Sequence, residues 1–588
     1  MLTVALDVEC YTNYFLVMFK SIRKKNIAYF EYYDGLDLDI QGLKNMLLTH
    51  KVITFNGINY DMPMITYALA GATNKQLKTM SDDIIKNSKP QWMTYREYNL
   101  EPLNIKHTDI KEPSAGVMIS LKIYGGRLHV PKLQDLPIEP DELISPMQRK
   151  ELVKYCENDL DTTIQLYTTQ LPQFKLRHDM GKQYHTDLSS KSDAQIAEQV
   201  FRIELQKQGV EVKLPNIEDD YQFNYNMPSW IKFKSPELNS IKNIVENTTF
   251  TLSAKMKPVL PDELNKAFTF NNKKYKFGIG GIHSQEKKQS IVTTPETMLF
   301  ELDVASYYPN IILKQGLYPK HLTVNFLNIY SDIVERRILA KHSVDNVTAA
   351  SLKIVCNGSY GKFGSQYSFL FSPDLMIQTT ITGQLALMML IEMVEQIEGV
   401  DVVSANTDGI VIHTLKSHYK QINDVYYKWE IDTGYDLEDT HYYALHSMNV
   451  NNYLAIKSSG GTKGKGIFAS PSLMKNPNVR ICYLAIEEYL TSGTPIENTI
   501  CSCNDITKFI VLRTVKGGAI WRGEKLGKAV RWYYSTEGES IHYVTNGNKV
   551  ATSDSAQPVM NLPDKMPEDI DYNWYITTSE KIMENLGC

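Results

Sequence analysis

Four carboxylates in the first 160 residues have a spacing that would let them share metal ions. The segment "LTVALDVECY" alternates in polarity like a strand, so Asp7 and Glu9 fall on one face. Asp61 follows a second apolar segment in "VITFNGINYDMPMI", and "ELVKYCENDLDTTIQLY" has the period of a helix with Tyr155 and Asp159 one turn apart. Two-metal hydrolysis of a phosphodiester needs several carboxylates to hold the ions and a polar group to orient the attacking water. We therefore expect the four carboxylates to be metal ligands and Tyr155 to orient the water.

Each of these segments also has a plainer interpretation, because charged residues on exposed strands and helices are commoner than metal sites. Their joint order and spacing resemble the three motifs of 3′ to 5′ proofreading exonucleases that use four acids and a tyrosine. The segment "SLKIYGGRLHVPKLQDLP" resembles the exonuclease domains of phage replicative polymerases. The resemblance implies a ribonuclease H-like α/β exonuclease domain.

A second group of candidate residues lies in "MLFELDVASYYPNIILKQGLYP", which carries D-x-x-S-x-Y-P after an apolar strand. Taken alone, this pattern predicts a strand that ends in a turn. It resembles the first palm motif of family B DNA polymerases, with Tyr307 in place of the usual leucine. The resemblance implies that Asp303 binds both catalytic metal ions. It also implies that Tyr308 packs under the incoming sugar and excludes a 2′-hydroxyl.

The segment "VVSANTDGIVIH" predicts a β-hairpin, because N-T-D-G between two apolar runs has the residues that tight turns require. It lies where family B polymerases carry Y-x-D-T-D-S between two palm strands. Asp408 matches the second aspartate of that motif, whereas Ser404, Asn406 and Gly409 depart from it. We expect a turn that carries a metal ligand.

Two helical segments resemble the family's fingers. In "SLKIVCNGSYGKFG", Lys353, Asn357 and Tyr360 form one stripe at i, i+4 and i+7, and Gly358 stands where the family has serine. The stripe alone is equally typical of a solvated face. The preceding "SDIVERRILAKHSVDNVTAAS" predicts a helix ending in a turn. The nucleotide-binding residues that the resemblance implies are Tyr308, Arg337, Lys341, Lys353 and Asn357, with Lys341 and Lys353 gripping the triphosphate.

Four further segments suggest contacts with DNA. "KFGIGGIHS" resembles the family's glycine-bearing linker, and "TITGQLALMMLIEM" resembles T-x-x-G-R with Gln384 in the arginine's place. "NNYLAIKSSGGTKGKGIF" resembles K-x-Y followed by K-G, although Asn451 replaces the first lysine. The basic run "LRTVKGGAIWRGEKLGKAVRWYY" favours a thumb over a merely solvated surface. The DNA-binding residues carried over are Gly280, Gly281, Thr380, Tyr453, Lys463 and Lys465.

The whole chain has the composition of a protein that folds throughout: 588 residues, 43% apolar, with a net charge of −5. That length predicts several domains. The seven cysteines form no C-x-x-C pair, which argues against a disulfide framework and a structural zinc site. The sequence shows no signal peptide and no run of about 18 apolar residues, so we expect a cytoplasmic protein without membrane partners, in the host cytoplasm if it is viral.

We expect an α/β and α+β multidomain protein with a right-hand polymerase domain of palm, fingers and thumb. The predicted segments are 1–185 exonuclease, 186–275 connecting region without a motif, 276–324 palm, 325–365 fingers, 366–450 palm, and 451–588 thumb and C-terminal region. The resemblance implies a DNA-directed DNA polymerase with a proofreading exonuclease, each centre using two Mg²⁺ or, alternatively, Mn²⁺. Its partners would be primer-template DNA, single-stranded DNA and dNTPs. Helicase, primase, single-strand-binding protein and processivity factor are open as further partners.

Two alternatives remain at this stage. The departures at Asn406, Gly358 and Gln384 would also fit an exonuclease whose polymerase half has become a DNA-binding platform. A non-catalytic replication scaffold is the other alternative, and the full set of exonuclease acids argues against it. Protein priming is disfavoured, because 50 residues from Asp303 to Lys353 and 47 from Gly361 to Asp408 leave little room for the extra segments of protein-primed relatives.

Overall fold

The computed structural model describes residues 1–114, 119–218 and 220–588. Their strands are, in chain order, β1 Thr3–Tyr11, β2 Tyr14–Ser21, β3 Ile27–Tyr33, β4 Lys51–Thr54, β5 His107–Asp109, β6 Phe223–Asn224, β7 Thr249–Leu252, β8 Pro258–Val259, β9 Ala267–Phe270, β10 Lys273–Gly278, β11 Gly281–Ser284, β12 Gln289–Val292, β13 Thr297–Val304, β14 Asp401–Asn406, β15 Gly409–Leu415, β16 Leu437–Asn449, β17 Asn452–Lys457, β18 Thr462–Lys465, β19 Val511–Trp521, β20 Glu524–Glu539, β21 His542–Tyr543 and β22 Ala556–Pro558.

The helices of the same residues are α1 Ile40–Thr49, α2 Asp61–Leu69, α3 Asn74–Asn87, α4 Gln91–Glu97, α5 Leu121–Arg127, α6 Pro146–Thr169, α7 Leu171–Gln183, α8 Asp193–Lys207, α9 Pro236–Asn247, α10 Asp262–Asn265, α11 Tyr307–Lys314, α12 Asn325–His342, α13 Asn346–Phe363, α14 Pro373–Glu395, α15 Tyr419–Thr433, α16 Arg480–Ser492, α17 Ile496–Ser502 and α18 Tyr572–Leu586. The expected multidomain mixture of helices and sheets is confirmed. The chain divides into two compact units: Met1–Ser192 with Pro471–Tyr489 and Thr494–Thr578, and Asp193–Ser470 with Leu490–Gly493 and Ser579–Cys588.

The first unit contains a mixed five-stranded sheet in the order β3-β2-β1-β4-β5. β1 pairs antiparallel with β2 and parallel with β4, as the alternating apolar pattern of "LTVALDVECY" allows. Helix α6 packs on this sheet, and the buried Lys20 of β2 forms ion pairs with Glu157 and Asp161 at 2.9 and 2.7 Å. The capping box of Ser145 and Gln148 begins α6, which fixes the register of its inward face.

A four-stranded sheet in the order β21-β19-β20-β22 belongs to the same unit. It contains most of the basic run expected to grip duplex DNA. Arg531 of that run is fully buried, and it donates hydrogen bonds to the carbonyls of Val130, Pro131, Val559 and Met560. Arg531 therefore stabilises this unit and is not available to DNA, because it is buried and its guanidinium donates to four backbone carbonyls.

The second unit is built on a ten-stranded sheet in the order β18-β17-β16-β13-β15-β14-β11-β10-β9, with β12 paired to β16. Strands β17 and β18 lie in this sheet, so it extends beyond residue 450, the boundary expected for the second part of the palm. Helix α14 packs in the core beside it. Among the described residues α14 alone is long and apolar enough to cross a membrane, and 89% of its apolar window is buried inside the protein.

Helix α8 gives part of the connecting region a structural role. It packs against α12 and α13, where Phe201 stacks on Phe326 with ring centroids 5.0 Å apart. A Cβ added to Gly358 of α13 would lie 2.9 Å from the Cβ of Ala197 and 2.9 Å from the Asp193 carbonyl oxygen. Glycine at position 358 therefore lets the two helices approach closely.

Candidate active sites

Three elements of the first unit bring its predicted acidic residues together. β1 carries Asp7 and Glu9 on one half-buried face, α2 begins at Asp61, and α6 carries Tyr155 and Asp159. The side chains of Asp61, Tyr155 and Asp159 are 2%, 5% and 6% exposed. All five predicted residues therefore lie in one region, in the elements that the sequence pattern indicated.

The backbone turn before α2 is shaped by an acidic residue that the sequence analysis missed. Asp109 accepts hydrogen bonds from the backbone N–H groups of Asn56 and Ile58, each at 2.9 Å. Asn56 has a φ of +69°, which asparagine tolerates better than most residues. The Tyr60 hydroxyl bonds to Ser81 at 2.8 Å. Asn56 and Tyr60 of the second motif thus position Asp61 through the fold.

The carboxylates of this centre carry more negative charge than their surroundings compensate. Burial, and then the charge of Asp159, raises the pKa of Asp7 to about 7. Burial and the charge of Asp7 raise the pKa values of Glu9 and Asp61. One carboxylate oxygen of Asp61, Oδ1, is buried without a hydrogen-bond partner. Oxygen ligands that are buried together and outnumber their cationic partners fit the hard cations Mg²⁺ and Mn²⁺.

Lys122 is the cation nearest to this centre, and the sequence analysis did not single it out. Its ammonium forms an ion pair with Asp159 and lies 4.3 Å from the centroid of the Tyr155 ring. Attraction between an ammonium and an aromatic face helps hold the ring in place. A single lysine at the start of α5 has no local signal that could have identified it.

The hairpin of β14 and β15 brings Asp408 beside Asp303 in the second unit. Asp303 pairs across β13 and β15 with Gly409, and the Val304 N–H donates to the Asp408 carbonyl oxygen at 2.8 Å. Thr407 has a φ of +58° in the two-residue turn. NTDG is therefore a turn, as its local pattern predicts, and it carries a carboxylate next to the end of β13 at Asp303.

A cavity of about 310 Å³ opens beside the two aspartates. It is lined by Glu301, Asp303, Ser404, Asn406, Asp408, Gly409, Val411, Tyr442, Leu445, Ser447, Tyr453, Lys463, Gly464 and Lys465. Burial, followed by the charges of Asp408 and Glu301, raises the pKa of Asp303 to about 7. Burial likewise raises the pKa of Asp408. Paired carboxylates with raised pKa values in a polar cavity fit divalent cations, as in the first unit.

Glu301 is a third acid in this cavity that the sequence analysis missed. It stands two residues before Asp303 on the same strand, so both side chains leave the same face of β13. Lys463 forms an ion pair with it at 2.6 Å, and the Tyr442 hydroxyl donates to the same oxygen. The period of two along "FELDV" is the signal that could have found it.

Asn406 uses its amide within the hairpin. Its Nδ2 donates to the Val450 carbonyl oxygen at 3.3 Å, and its Oδ1 accepts from the Thr407 hydroxyl at 3.2 Å. The first bond joins the turn to the loop after β16, and the second lies within the turn. Asn406, which departs from the pattern that the resemblance implies, therefore has a structural task in this protein.

Tyr308 is held on two sides at the start of α11. Its hydroxyl donates to the Gly280 carbonyl oxygen at 2.7 Å, and its ring stacks on Tyr360 with centroids 4.4 Å apart. Gly280 lies in the turn of the β10–β11 hairpin, so "KFGIGGIHS" forms a hairpin and not an extended linker. Gly281 has a φ of +144°, and an added Cβ would lie 2.8 Å from Thr407 Cγ2.

The residues expected to bind the triphosphate lie on α12 and α13. Lys341 of α12 and both Lys353 and Asn357 of α13 are exposed, whereas Tyr360, the third residue of the predicted stripe, is half-buried. Arg337 donates to the Ser306 hydroxyl of the first palm motif at 3.2 Å. The expected triphosphate-binding residues are therefore on the same unit as Asp303.

The expected DNA-binding residues divide into two groups. Tyr453, Lys463 and Lys465 line the carboxylate cavity. Thr380 is only 1% exposed, and its hydroxyl bonds to the Tyr360 hydroxyl and to the Met376 carbonyl oxygen. Thr380 thus holds Tyr360 from within the protein and cannot contact DNA in this arrangement.

A scan against protein-family models found none that matches, and a search of curated proteins found no similar sequence.

Proposed function

We propose that this protein is a DNA-directed DNA polymerase of the family B type with a 3′ to 5′ proofreading exonuclease. The observation that carries the proposal is the meeting of Asp303 and Asp408 in one polar cavity, which Lys463 and Lys465 also line. The same unit contains Tyr308, whose hydroxyl and ring are held by two partners. Templated phosphoryl transfer requires carboxylates that hold the metal ions and cations that stabilise the leaving group. It also requires a side chain that limits the space for the sugar. A second acidic centre in the other unit supplies the proofreading function.

In the polymerase centre, Asp303 and Asp408 would hold two Mg²⁺ ions. Bound Mg²⁺ lowers the pKa of the primer's 3′-hydroxyl and neutralises charge on the leaving pyrophosphate. Lys341, Lys353 and Arg337 would attract the triphosphate, since cations aimed at the leaving group stabilise the developing charge. Tyr308 would set the space available to the sugar.

In the exonuclease centre, Asp7, Glu9, Asp61 and Asp159 would hold the ions. Tyr155 would orient the attacking water by its hydroxyl, and Lys122 keeps the Tyr155 ring and the Asp159 carboxylate in place. The cluster of buried carboxylates around a single lysine supports this role, because a divalent cation would relieve their mutual repulsion.

The finer fold belongs to the same proposal. The mixed sheet β1–β5 with α6 supports a ribonuclease H-like exonuclease domain over 1–185. The sheet that carries β13, β14 and β15 supports a palm, α12 and α13 support fingers, and β19 and β20 support a thumb. The proposed substrates are primer-template DNA, single-stranded DNA and dNTPs, with a nucleic-acid primer and a cytoplasmic site of action.

The alternative of a nuclease with a degenerate polymerase half rested on three departures from the family pattern. Gly358 allows α8 to approach α13, Asn406 ties the hairpin to Val450, and Gln384 donates to the Gly278 carbonyl oxygen. Each replacement has a structural role in this chain. The departures therefore give little support to a loss of function.

One assay distinguishes the two possibilities. The purified protein is incubated with a labelled primer annealed to a longer template in Mg²⁺, with and without dNTPs. We expect extension with dNTPs and shortening without them. Asp303→Ala should abolish extension and retain shortening, whereas the alternative predicts shortening under every condition for the unmodified protein as well.

A further inference from the structure

The thiol of Cys156 lies against the carboxylates of the first unit. Single ligand atoms of Asp7, Glu9 and Cys156 all lie within 4.8 Å of one another, and the Cys156 thiol is 3.8 Å from Asp7 Oδ2. Cys156 follows Tyr155 on α6 and is completely buried. One cation could therefore contact two carboxylates and one sulfur.

A second observation shows that this spot favours a cation. Asp61 is 2% exposed, and its Oδ1 has no hydrogen-bond partner. The charge of Asp61 raises the pKa values of both Glu9 and Cys156, so its carboxylate lies close to both groups. A buried, unpaired carboxylate oxygen is costly unless a cation or a donor meets it.

The ligand types indicate which cations the spot would prefer. Mg²⁺ takes hard oxygen ligands and does not require sulfur. Zn²⁺ and Cd²⁺ bind thiolate together with carboxylate, and Zn²⁺ is satisfied by four ligands of mixed type. Among the described residues that line the polymerase cavity there is no cysteine. A thiophilic cation would therefore discriminate between the two centres.

We propose that the exonuclease centre contains a site for thiophilic divalent cations, formed by Asp7, Glu9 and Cys156, through which Zn²⁺ displaces Mg²⁺ and silences proofreading while synthesis continues. A bond forms between the ion and Sγ, the S–H bond breaks, and the proton goes to solvent without any change in oxidation state. The inhibitory consequence rests on the proposed exonuclease function, whereas the ion site itself does not.

Binding can be tested without any enzymatic assay. In a parent protein with Ser at the three more accessible positions, Cys501, Cys503 and Cys588, the metal-free chain is titrated with Cd²⁺ while thiolate-to-metal charge-transfer absorption is recorded in the ultraviolet. We expect a saturable signal of one equivalent. Cys156→Ser should abolish it, and Cys10→Ser, which removes another buried thiol of the same unit, should retain it.

The carboxylates provide a second test that keeps the thiol. Asp7→Asn should weaken Cd²⁺ binding by at least about tenfold, because loss of a charged ligand costs at least as much as loss of an outer partner. Circular dichroism of each variant shows whether it is folded. A parent protein without the absorption, or a folded Cys156→Ser variant that retains it, would overturn the proposed site.

Inhibition is measured separately, with single-stranded DNA degradation in millimolar Mg²⁺ and increasing Zn²⁺. Cys156→Ala should need at least about tenfold more Zn²⁺ for half-inhibition than the parent. Extension by the Asp7→Ala/Glu9→Ala protein should not respond to the same Zn²⁺. Equal Zn²⁺ sensitivity of parent and variant contradicts the inhibitory role. A parent that degrades no DNA in Mg²⁺ alone instead contradicts the proposed exonuclease, and the Cd²⁺ titration still decides the ion site.

Discussion

At the scale of single residues, Asp408 and Asn406 show how a turn can present a proposed metal ligand. They flank Thr407 in one hairpin, but only Asp408 faces the cavity with a carboxylate, while the Asn406 amide bonds to Val450 and Thr407. A formal charge stabilises a divalent ion far more than an amide dipole does. We therefore expect Asp408 to bind the metal ions and Asn406 to maintain the conformation of the turn.

We predict that Asp408→Asn lowers extension by at least about a hundredfold, since a charged ligand of a catalytic metal is worth several kcal/mol. Asn406→Asp should change extension by less than about tenfold, because its hydrogen bonds and not its charge hold the hairpin. Single-nucleotide insertion kinetics on the Asp7→Ala/Glu9→Ala background measure both effects. A mild effect at 408 together with a severe effect of Asn406→Ala would reverse the assignment.

Tyr308 is the residue on which sugar discrimination should depend. Its hydroxyl is fixed by the Gly280 carbonyl and its ring by Tyr360, so the ring cannot move aside freely. Tyr308→Val should incorporate ribonucleotides much more readily, and Tyr308→Phe should show an intermediate loss because only the hydroxyl anchor is removed. Competition between dNTP and rNTP insertion measures the ratio. Unchanged discrimination in Tyr308→Val would show that Tyr308 serves only the core.

Site residues could be predicted from the sequence where the period of a strand or a helix puts them on one face. The alternation along β1 identifies Asp7 and Glu9, and the helical spacing identifies Asp159. Lys122 was not predictable, because its pairing with Asp159 depends on how α5 and α6 pack. Glu301 could have been inferred from its spacing to Asp303, but its lysine partner lies on a strand far along the chain.

At the scale of elements, close packing of α8 on α13 explains a glycine in the finger motif. We predict that Gly358→Ser destabilises the second unit by about 1–3 kcal/mol, because the added atoms would overlap α8. Gly361→Ala on the same helix is the matched control, since a Cβ there meets nothing within 4 Å. It should be neutral or stabilising by about 0.5–1 kcal/mol. Thermal unfolding of both variants measures the two changes in stability. Equal stabilities of the two variants would contradict the proposed packing of α8 on Gly358.

The pairing of β12 with β16 should make the second unit sensitive to acid. Burial lowers the pKa of His446 from 6.5 to about 4, and its Nδ1 bonds to the Ser290 hydroxyl at 2.8 Å. A histidine with a lowered pKa in the folded state binds fewer protons than in the unfolded chain. Its contribution to stability is therefore complete above pH 6.5 and declines as the pH falls toward 4.

From pH 7 to pH 5 this histidine should cost about 2 kcal/mol of unfolding free energy. His446→Asn removes the titration and should show a smaller decrease over the same interval. Denaturant unfolding at the two pH values measures the difference. A variant whose stability falls as steeply as that of the unmodified protein would exclude His446 as the cause.

Elements with strong local signals were predicted with the correct type. The strand around Asp7, the helix around Asp159 and the NTDG hairpin all appear in the structure. The hairpin of β10 and β11 was not predicted, because its glycines also suit an extended linker. The role of α8 was not predictable either, since an amphipathic helix does not identify the surface that it covers.

At the scale of the whole molecule, the two acidic centres lie in separate compact units. No carboxylate of one centre belongs to the unit of the other. Loss of the acids in one unit should therefore leave the chemistry of the other intact. The chain order of motifs predicted this separation, whereas it did not predict that Pro471–Tyr489 and Thr494–Thr578 join the N-terminal unit.

The most direct test of two independent centres follows one labelled primer-template in Mg²⁺ with three purified proteins. The unmodified chain should extend the primer with dNTPs and shorten it without them. Asp7→Ala/Glu9→Ala should only extend, at close to the original rate, and Asp303→Ala should only shorten. If the folded Asp7→Ala/Glu9→Ala protein lost extension as completely as shortening, or if Asp303→Ala still extended the primer, the account of a polymerase centre at Asp303 and a separate exonuclease centre at Asp7 would be contradicted.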